Sequence, residues 1–517
     1  MMSLRRVGWL FAMALATLLW MSCGQVYRPV VIPVGVTPPN TSGFHAVFGV
    51  ATNAAFNPGT AMQIDVSGDS DIGEANMGVN PTHAAVLPNN SRVFVASAGS
   101  LYAGDTDAVT GFTPAAGSLT ATGLGTVTIV SMPNVGPTNP ITGVPEWTCS
   151  YLPDYVATSQ NTAIYVANYG VENDAGCTPN PVTTDSVAEI STASSAIAFI
   201  TYLPSGAHPV GLAETPDGIN LYVINQGNDT VTDLSPTDLS TLANIPMPNT
   251  PIWAALRVDG QRLYVLTQAD GVLHTIRTDS NAVVSSTPVG GPGANFALYD
   301  KTLNRLYVVN PTAQSVYVFD ATADPPSPIG TVSMSTGANA PCPKGCTPVS
   351  VAALPDGSRF YVASYENETA CPDPLVGAKN PCIIPMLTVY DAQSLTVKPT
   401  SGSLFSPSSL SLLSFPVFQN SQYAVLSVAS CAPPALYAPG TTRFRMFTAP
   451  AADSTHVYVG ICDAGIIADI STSTTTISVG ANSPDALITN LAAPFSNAPA
   501  VNGLPQLQNP IFLLTGQ

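Results

Sequence analysis

The sequence predicts an all-β protein assembled from one repeated strand unit, and three observations support this prediction. Charged residues make up only 9% of the 517 residues, so the side chains that usually coat exposed helices are scarce. Forty glycines and 48 prolines interrupt the chain at short intervals. A short pattern of an apolar residue, an aromatic residue and valine recurs along most of the length. Apolar residues, at 45%, are sufficient for a large core.

The repeated strand occurs in seven clear copies and one weaker copy. Runs of β-branched and aromatic residues bounded by turn formers are typical of strands, and we expect the aromatic anchors to pack between sheets. The shortest intervals between successive anchors, 42 and 43 positions, match the length of one four-stranded propeller blade. The sequence therefore predicts a single β-propeller of four-stranded blades. The copies are Val93-Phe94-Val95, Ile164-Tyr165-Val166, Leu221-Tyr222-Val223, Leu263-Tyr264-Val265, Leu306-Tyr307-Val308, Phe360-Tyr361-Val362, Val457-Tyr458-Val459 and, more weakly, Val47-Phe48-Gly49-Val50.

Each repeat follows the same internal order. A small or apolar first strand, such as residues 209–213, precedes a tight turn such as Pro216-Asp217-Gly218, in which Pro presets φ and Gly accepts a positive φ. The aromatic strand comes next, then a third strand that often ends in Asp, and a fourth strand such as residues 474–480. We expect the terminal aspartates to hydrogen-bond the following turn as caps. They are Asp65, Asp233, Asp320, Asp391 and Asp469.

The motifs Leu221-Tyr222-Val223-Ile224-Asn225 and Leu306-Tyr307-Val308-Val309-Asn310 resemble the YVTN-type β-propeller repeats of bacterial and archaeal surface proteins. The resemblance covers about residues 44–490 and implies a fold but no particular activity, because propellers host many functions. It implies seven blades, whereas eight anchors are present, so seven and eight both stay open. A C-terminal strand near residues 485–490 or 510–514 would complete the first blade and close the ring.

Residues 1–22 have the features of a signal peptide. Arg5 and Arg6 supply a positive end, and Ser22 is a small residue at the other end. The apolar stretch between them, residues 8–19, is too short to favour a membrane-spanning helix.

The next residue, Cys23, lies in a segment that resembles a bacterial lipobox, Leu-Trp-Met-Ser-Cys-Gly, although Trp20 stands where leucine is usual. The resemblance implies a lipidated Cys23 that anchors the protein to the cell envelope, facing the periplasm or on the cell surface. Plain secretion is the alternative. We therefore expect a signal peptide (1–22), a lipid-anchored flexible tether (23–43) and a propeller (44–517).

Setting Cys23 aside leaves eight of the nine cysteines, an even number that is typical of disulfides in an oxidising compartment. Zinc is disfavoured because no Cys-x-x-Cys occurs and no His lies near the Cys342 loop. Pairing between neighbours is the simplest of many possible connectivities. The neighbouring candidates are Cys149/Cys177, Cys342/Cys346, Cys371/Cys382 and Cys431/Cys462.

All eight of these cysteines are predicted to lie on one face of the propeller, which we call the disulfide face. The loop between the second and third strands of a blade lies on the same face as the crossover to the next blade, and the other two turns lie opposite. Each candidate falls in a crossover or after an aromatic strand. Disulfides restrict long loops, and such a face is a natural place for ligand binding. Insertions that drift into tolerant loops and are protected from proteases are the alternative.

The acidic composition and the missing motifs argue against several functions. The net charge is −17, with only 15 Lys and Arg, and such a surface repels nucleic-acid phosphates. The sequence has no phosphate-binding loop, nucleophile elbow, haem motif or dinucleotide fingerprint. We therefore predict no catalytic residues, no cofactor and no metal.

The histidines and acidic residues do not have the spacing of known metal-binding motifs. The acidic stretch Asp65, Asp69, Asp71 and Glu74 has oxygen ligands suited to calcium, but its spacing matches no known loop. None of the five histidines has metal-ligand spacing, and we expect His83 and His208 to share one place before a first strand. The histidines are His45, His83, His208, His274 and His456.

Export, repeats and missing catalytic motifs favour a non-enzymatic binding or scaffolding protein of the cell envelope, with a protein or glycan ligand on the disulfide face. One alternative is a lactonase-like enzyme, because phosphogluconolactonase-like propellers have similar repeats; it would need basic and acidic groups converging in a central funnel. Another is a surface-layer component that self-associates.

Overall fold

The computed structural model describes most of the chain from residue 46 onward. The described residues are 46–53, 57–99, 108–115, 124, 127–132, 150–158, 160–171, 183–335, 341–342, 344–372, 379–398, 409–413, 417–418, 431, 444–472, 485–497 and 505–516. The predicted signal peptide, Cys23 and the tether lie outside this part of the chain. No helix among the described residues is long and apolar enough to cross a membrane.

The described strands form eight antiparallel sheets, one for each blade. The strands of blades 1 to 4 come first in the chain. They are β1 (Ala46–Asn53), β2 (Asn57–Asp65) and β3 (Ser70–Val79) in blade 1; β4 (Pro81–Val86), β5 (Val93–Ser97), β6 (Ala108–Phe112) and β7 (Val127–Ser131) in blade 2; β8 (Pro153–Ala157), β9 (Ala163–Asn168), β10 (Ser186–Ser191) and β11 (Ala196–Tyr202) in blade 3; and β12 (Pro209–Glu214), β13 (Leu221–Asn225), β14 (Thr230–Leu234) and β15 (Thr241–Pro246) in blade 4.

Blades 5 to 8 repeat this order, and blade 7 carries an additional short strand. They contain β16 (Pro251–Leu256), β17 (Arg262–Thr267), β18 (Val272–Arg277) and β19 (Ala282–Pro288) in blade 5; β20 (Phe296–Asp300), β21 (Arg305–Asn310), β22 (Ser315–Asp320) and β23 (Ser327–Ser333) in blade 6; β24 (Thr347–Ala353), β25 (Arg359–Pro372), β26 (Lys379–Asp391), β27 (Ser409–Ser411) and β28 (Val417–Phe418) in blade 7; and β29 (Met446–Pro450), β30 (His456–Ile461), a 3-10 turn (Cys462–Ala464), β31 (Ile466–Ser471) and β32 (Ala486–Ala492) in blade 8. The last strand, β33 (Asn509–Thr515), joins blade 1.

The predicted fold class is confirmed, and the open choice between seven and eight blades is settled at eight. Every aromatic anchor lies in the second strand of its blade, or in β1 for blade 1. Seven of the eight anchor tyrosines and phenylalanines, including Tyr222 and Tyr458, are 0% exposed, because neighbouring blades pack against them on both sides. Burying these large rings between sheets is what the repeated pattern encodes.

The ring is closed by β33, which takes the inner position of blade 1. Phe48 of β1 pairs with Leu514, and Gly49 pairs with Leu513. Residues 485–490 instead belong largely to β32, the outer strand of blade 8. The difference follows from burial, because β33 is mostly buried whereas β32 is half exposed. Residues 474–480, predicted as a fourth strand, lie outside the described residues.

The tight turns between first and second strands form as the sequence predicts. Thr215 Oγ1 donates to Asp217 Oδ1 at 2.6 Å, and the amide of Ile219 donates to the same oxygen at 3.2 Å. Gly218 has φ +68°, a value that L side chains rarely adopt. The side chain of Asp217 and the glycine together fix the turn.

Three of the five predicted caps are confirmed and two are wrong. Asp65, Asp320 and Asp391 are the last residues of their strands, and each accepts a hydrogen bond from an amide two residues on. Asp233 and Asp469 lie earlier in their strands, directly opposite the anchors Tyr222 and Tyr458. Their carboxylates therefore face the junction between blades and not the following turn.

Closure by β33 gives a prediction for stability. Leu513 is 1% exposed and lies within about 3.5–3.7 Å of where a Cβ on Gly49 of β1 or Gly460 of β30 would be, so it packs across two blades. Leu513→Ala should lower the free energy of unfolding by about 2–5 kcal/mol, as buried leucine truncations do. Urea unfolding followed by circular dichroism measures this change.

The matched control is Leu242→Ala on the outer strand β15, where the side chain is 51% exposed. This variant should change the free energy of unfolding by less than about 0.5 kcal/mol. Equal effects of the two substitutions would contradict the role given to β33.

Candidate functional site: the central channel and the disulfide face

The inner strands of all eight blades share one register position. The third residue of each repeated motif pairs with one residue of the inner strand, and the shared position is the residue just before that partner. In blade 5, for example, Val265 pairs with Ala254, so the shared position is Trp253. Six inner strands begin with proline at or near their start and have a register shift just before this position. The eight residues are Phe512, His83, Tyr155, Gly211, Trp253, Phe296, Ser350 and Phe447, in order from blade 1 to blade 8.

The six aromatic members of this set touch one another around the propeller axis. His83 stacks on Tyr155 with ring centroids 3.7 Å apart and contacts Phe512 at 4.4 Å. Tyr155 reaches Trp253 at 6.1 Å, edge to face, across the position occupied by Gly211. These contacts join blades 1, 2, 3 and 5, so the rings meet at the centre of the molecule.

The other half of the aromatic ring is completed by a seventh side chain. Trp253 contacts Phe296 at 5.1 Å, and Phe447 contacts Phe512 at 4.4 Å. Phe444, just before β29, lies 5.1–5.7 Å from Trp253, Phe296 and Phe447 and bridges the small Ser350 position. Aromatic rings therefore fill the central channel at this level.

The polar character of the filled channel is low. Trp253 donates its indole N–H to the carbonyl of Ala297 at 2.8 Å, which satisfies the buried donor. None of the eight residues at the shared position carries a permanent charge. The converging acidic and basic groups that a lactonase-like site would need are therefore not found at this level of the channel.

Among the described residues, a long hairpin from blade 7 extends on the disulfide face. Strands β25 and β26 contain 14 and 13 residues, and their pairing continues from Tyr365 and Pro385 to Pro372 and Lys379. Eight residues of strand extend about 25 Å at 3.3 Å per residue, so this hairpin, which we call the blade 7 arm, projects beyond the sheet. Lys344 forms an ion pair with Glu368 at the base of the arm.

Disulfides flank the blade 7 arm. Cys431 is joined to Cys462 with an S–S distance of 2.08 Å, and Cys342 is joined to Cys346. Cys382, within β26, is also disulfide-bonded. The other candidates, Cys149, Cys177 and the side chain of Cys371, lie outside the described part of the protein, so their pairing stays a prediction.

A buried ion pair lies next to the Cys431–Cys462 disulfide. Arg445 Nε is 2.8 Å from Asp463 Oδ2, and both side chains are almost fully buried. The guanidinium of Arg445 also lies 5.0 Å from the ring centroid of Tyr365 at the base of the blade 7 arm. Burial raises the pKa of Asp463 to about 6, although Arg445 favours the ionised form.

His83 and His208 do not share the place that the sequence suggested. Pro81 and Pro209 are equivalent first residues of β4 and β12, so His83 lies two residues after its proline and His208 directly before. His208 has φ 46° and matches Asn80, which has φ 50°. His83 belongs to the aromatic ring instead.

His208 is held against a buried carboxylate. Its Nδ1 lies 3.2 Å from Asp185 Oδ1 and 3.0 Å from the carbonyl of Tyr169, on whose ring the imidazole stacks at 4.4 Å. Burial, reinforced by Asp154 and Asp185, raises the pKa of Tyr169 to about 12. Asp185 also accepts the amide of Gly206 at 2.9 Å. This carboxylate therefore fixes the crossover between β11 and β12.

The remaining described histidines have separate environments. His274 is buried, with its ring nitrogens 3.3 Å from Thr267 Oγ1 and 2.9 Å from Ser286 Oγ, and burial lowers its pKa. His456 lies near Asp69 and Asp469, and ligand atoms of these three residues lie within 4.8 Å of one another. Burial, reinforced by Asp69, raises the pKa of Asp469 to about 9. His45 lies outside the described residues.

The acidic stretch proposed for calcium does not act as one unit. Asp65 Oδ1 accepts the amide of Ser67 in its turn, and Asp71 Oδ1 accepts the amide of Gly73. Only Asp69 of this stretch belongs to the described group of potential ligands with His456 and Asp469.

Comparisons with known proteins give fold-level similarity. No family model matches the chain, and no curated protein matches it. A periplasmic gluconolactonase from Pseudomonas aeruginosa is 16% identical over 71% of this chain and 97% of its own, with a TM-score of 0.47. A putative 6-phosphogluconolactonase from Bacteroides fragilis is 12% identical over 93% and 100%, with a TM-score of 0.44. Hydrazine synthase of Kuenenia stuttgartiensis is 13% identical over 68% and 90%, with a TM-score of 0.46.

These similarities carry no argument about activity. The resemblance to YVTN-type repeats therefore remains a prediction from the motifs, while the propeller fold rests on the eight sheets of this chain.

Sequence reasoning missed the aromatic ring. The signal was present, because His83, Tyr155 and Trp253 each stand two residues after the proline that begins an inner strand. Aligning the first strands on that proline would have revealed an aromatic column. The same alignment would have separated His83 from His208.

The buried ion pair predicts a pH-dependent stability. Asp463 has a pKa of about 6 in the folded state against an ordinary value of 3.8 for an aspartate, so the folded state binds more protons than the unfolded state between these values. Its contribution to the free energy of unfolding is complete below about pH 4 and is lost as the pH rises to about 6. The expected loss is on the order of 1–3 kcal/mol.

Asp463→Asn removes this titration. The difference in free energy of unfolding between wild type and variant should change from pH 4 to 6 and stay level from pH 7 to 8. Urea unfolding at each pH measures it, and parallel profiles from pH 4 to 6 would rule out the assigned titration.

Proposed function

We propose that this protein is a non-enzymatic binding protein of the cell envelope that contacts a protein or glycan ligand with its disulfide face. The observation that carries the proposal is the aromatic filling of the central channel, which leaves the blade 7 arm as the longest hairpin among the described residues of that face. Anchoring through a lipid on Cys23 is part of the proposal and rests on the sequence of residues 1–24 alone.

The blade 7 arm supplies what a binding surface needs. It is a two-stranded hairpin held at its base by the Lys344–Glu368 ion pair and by a hydrogen bond from the Lys344 amide to Glu366 at 3.1 Å. Disulfides in the flanking loops limit the conformational entropy that binding would otherwise cost. A two-stranded hairpin whose described part includes the exposed Asn367 suits contact with an extended partner.

A lactonase-like activity has less support. Such an enzyme needs acidic and basic groups that converge on a substrate. At the shared inner-strand position the described residues are aromatic, glycine or serine. The pairing of His208 with Asp185 holds backbone in place and lies beside Tyr169, outside the aromatic ring.

Site-specific photo-cross-linking in intact envelopes tests the proposal. A photoreactive amino acid at Lys344 or Asn367, both exposed near the blade 7 arm, should give a discrete adduct with a protein or glycan. Matched positions are Ile219 and Val258, which are 61% and 56% exposed on turns of the opposite face and should give none.

Equal labelling from both faces would overturn the assignment of the disulfide face. Turnover of gluconolactone or its 6-phosphate by the purified protein, abolished by His208→Ala, would instead support the enzyme alternative.

Self-association is a second candidate, favoured by the outer strands. Five successive blades, 2 to 6, each expose at least one large apolar side chain on the outermost strand, where backbone groups are also unpaired. These side chains include Ile129, Phe199, Leu242, Val284 and Ile329. A rim of this kind suits lateral contact between copies of the protein.

Sedimentation velocity on the lipid-free protein measures whether its copies associate. If copies associate through the rim, oligomers should form with rising concentration, and Ile129→Ser with Phe199→Ser should weaken them by tenfold or more. Ile219→Ser, an exposed isoleucine on a turn, is the control and should leave them unchanged. A monomer at all concentrations would exclude the surface-layer alternative.

A further inference from the structure

The junctions between blades share a common set of positions. One residue begins the second strand, two places before the aromatic anchor. A second lies on the third strand opposite the anchor, and a third precedes the fourth strand of the next blade. Between blades 4 and 5 these positions hold Asn220, Asp233 and Asn281, beside the anchor Tyr222.

At that junction one oxygen of the buried carboxylate accepts two hydrogen bonds, whereas its Oδ1 has no donor among the described residues. Asn220 Nδ2 and Asn281 Nδ2 donate to Asp233 Oδ2 at 2.7 and 2.8 Å. The hydroxyl of Tyr222 donates to Asn281 Oδ1 at 2.8 Å. Two neutral amides therefore offset the cost of burying one negative charge.

Between blades 7 and 8 the cationic side chain of an arginine offsets the cost of burying a carboxylate. The positions hold Arg359, Val389 and Asp485. Arg359 Nη1 lies 2.6 Å from Asp485 Oδ1, and the hydroxyl of Tyr361 donates to that oxygen at 2.6 Å. A guanidinium and a phenol balance the buried carboxylate.

The junction between blades 8 and 1 departs from both solutions. Its three positions hold His456, Asp469 and Asp69, beside the anchor Tyr458. Asp469 pairs with Tyr458 as Asp233 pairs with Tyr222, and Asp69 has φ 47° where Asn281 has φ 54°. An imidazole and a second carboxylate thus replace the two amide donors.

This replacement leaves the buried carboxylate without donors. Asp469 is 0% exposed, and no N–H or O–H group of the described residues donates to either of its oxygens. Oδ1 of Asp69 and the hydroxyl of Tyr458 also have no hydrogen-bond partner among the described residues. A nine-tenths buried carboxylate normally has a partner, so the junction is incomplete as the protein side chains stand.

The histidine is oriented as a ligand. Thr455 Oγ1 donates to Asp453 Oδ1 at 2.6 Å, so this hydroxyl accepts the Nδ1–H of His456 at 2.8 Å. The lone pair therefore lies on Nε2, which faces Asp69 Oδ1 at 3.3 Å. Such an outer contact fixes the tautomer in many metal-bound histidines. A lone pair facing a carboxylate oxygen is repulsive unless a proton or a metal cation lies between them, and a metal ion would also supply the partner that both oxygens of Asp469 lack.

We propose that His456, Asp69 and Asp469 bind one divalent transition-metal ion, Zn²⁺ or Mn²⁺, at the junction between blades 8 and 1. One imidazole nitrogen with two carboxylate oxygens is a donor set that both ions accept. The ligand atoms lie within 4.8 Å of one another, and ligand distances of about 2.0–2.2 Å need only a small contraction of the group. The bound ion links the last complete blade to the blade that contains the first strand of the ring.

Metal analysis of the tag-free protein tests the site directly. After dialysis against EDTA, the protein is titrated with ZnCl₂ or MnCl₂ and the bound metal is counted by mass spectrometry and calorimetry. One ion per chain is expected, with a rise in melting temperature that EDTA reverses. No stoichiometric metal and no effect of EDTA on melting would overturn the proposal.

A pair of equivalent aspartates provides the matched control. Asp469→Asn should lower the affinity for the metal by at least tenfold, whereas Asp233→Asn, at the same position between blades 4 and 5, should leave it unchanged. Equal affinity in the wild type and Asp469→Asn would identify adventitious binding elsewhere and contradict the assignment.

A third variant guards against loss of folding. His456→Asn combined with Asp69→Asn reproduces the amide arrangement of the junction between blades 4 and 5. It should fold with cooperative melting, bind no metal and melt at the same temperature with and without EDTA. Continued sensitivity to EDTA in this variant would also overturn the proposal.

Discussion

The antiparallel pairing of β33 with β1 is the interaction on which the rest of the structure depends. A propeller blade packs both of its faces on neighbours, so an open ring would expose two apolar faces and two sheet edges. Here the C-terminal strand supplies the inner edge of blade 1, and its buried Ile511, Phe512 and Leu513 face blades 8 and 2 as well. Because this pairing closes the ring, every other blade can pack on its two neighbours through the same kind of sheet-to-sheet contact.

The width of an eight-bladed ring explains the aromatic centre. Eight inner strands surround a wide axis, and small residues there would leave a channel. Large rings at six of eight equivalent positions, with Phe444 as a seventh, fill that space with edge-to-face and stacked contacts. Tyr155 and Trp253 contact each other although blade 4 between them offers only Gly211, and Phe444 contacts Phe296 and Phe447 although blade 7 offers only Ser350.

The sequence predicts much of the fold because the fold is periodic. The anchors Tyr222, Tyr264 and Tyr307 recur at nearly constant spacing, and each occupies the same place in its blade. Closure was less accessible, since residues 485–490 and 510–514 each contain a short apolar run that could form a strand, and the two strands differ in burial in the structure. The eight-bladed count likewise needed the pairing of β33 with β1.

The junction ligands could not be recognised as a motif for a different reason. Asp69 comes from a turn of blade 1, whereas His456 and Asp469 come from blade 8, so no short spacing connects them. Asp469 also has the same local sequence role as Asp233, which led to its interpretation as a turn cap. Only comparison of the two junctions shows that one carboxylate has amide donors and the other has an imidazole and a second acid.

The position of β33 also sets an order of events during synthesis. The first three strands of blade 1 are synthesised before the strands of blades 2 to 8, but their fourth strand, β33, is synthesised after them. Blades 2 to 8 are each built from consecutive strands and can form as they emerge, while β1 retains an open, apolar edge until β33 has been synthesised. Vulnerability to premature pairing and to proteolysis is therefore concentrated in the interval between the synthesis of β1 and that of β33.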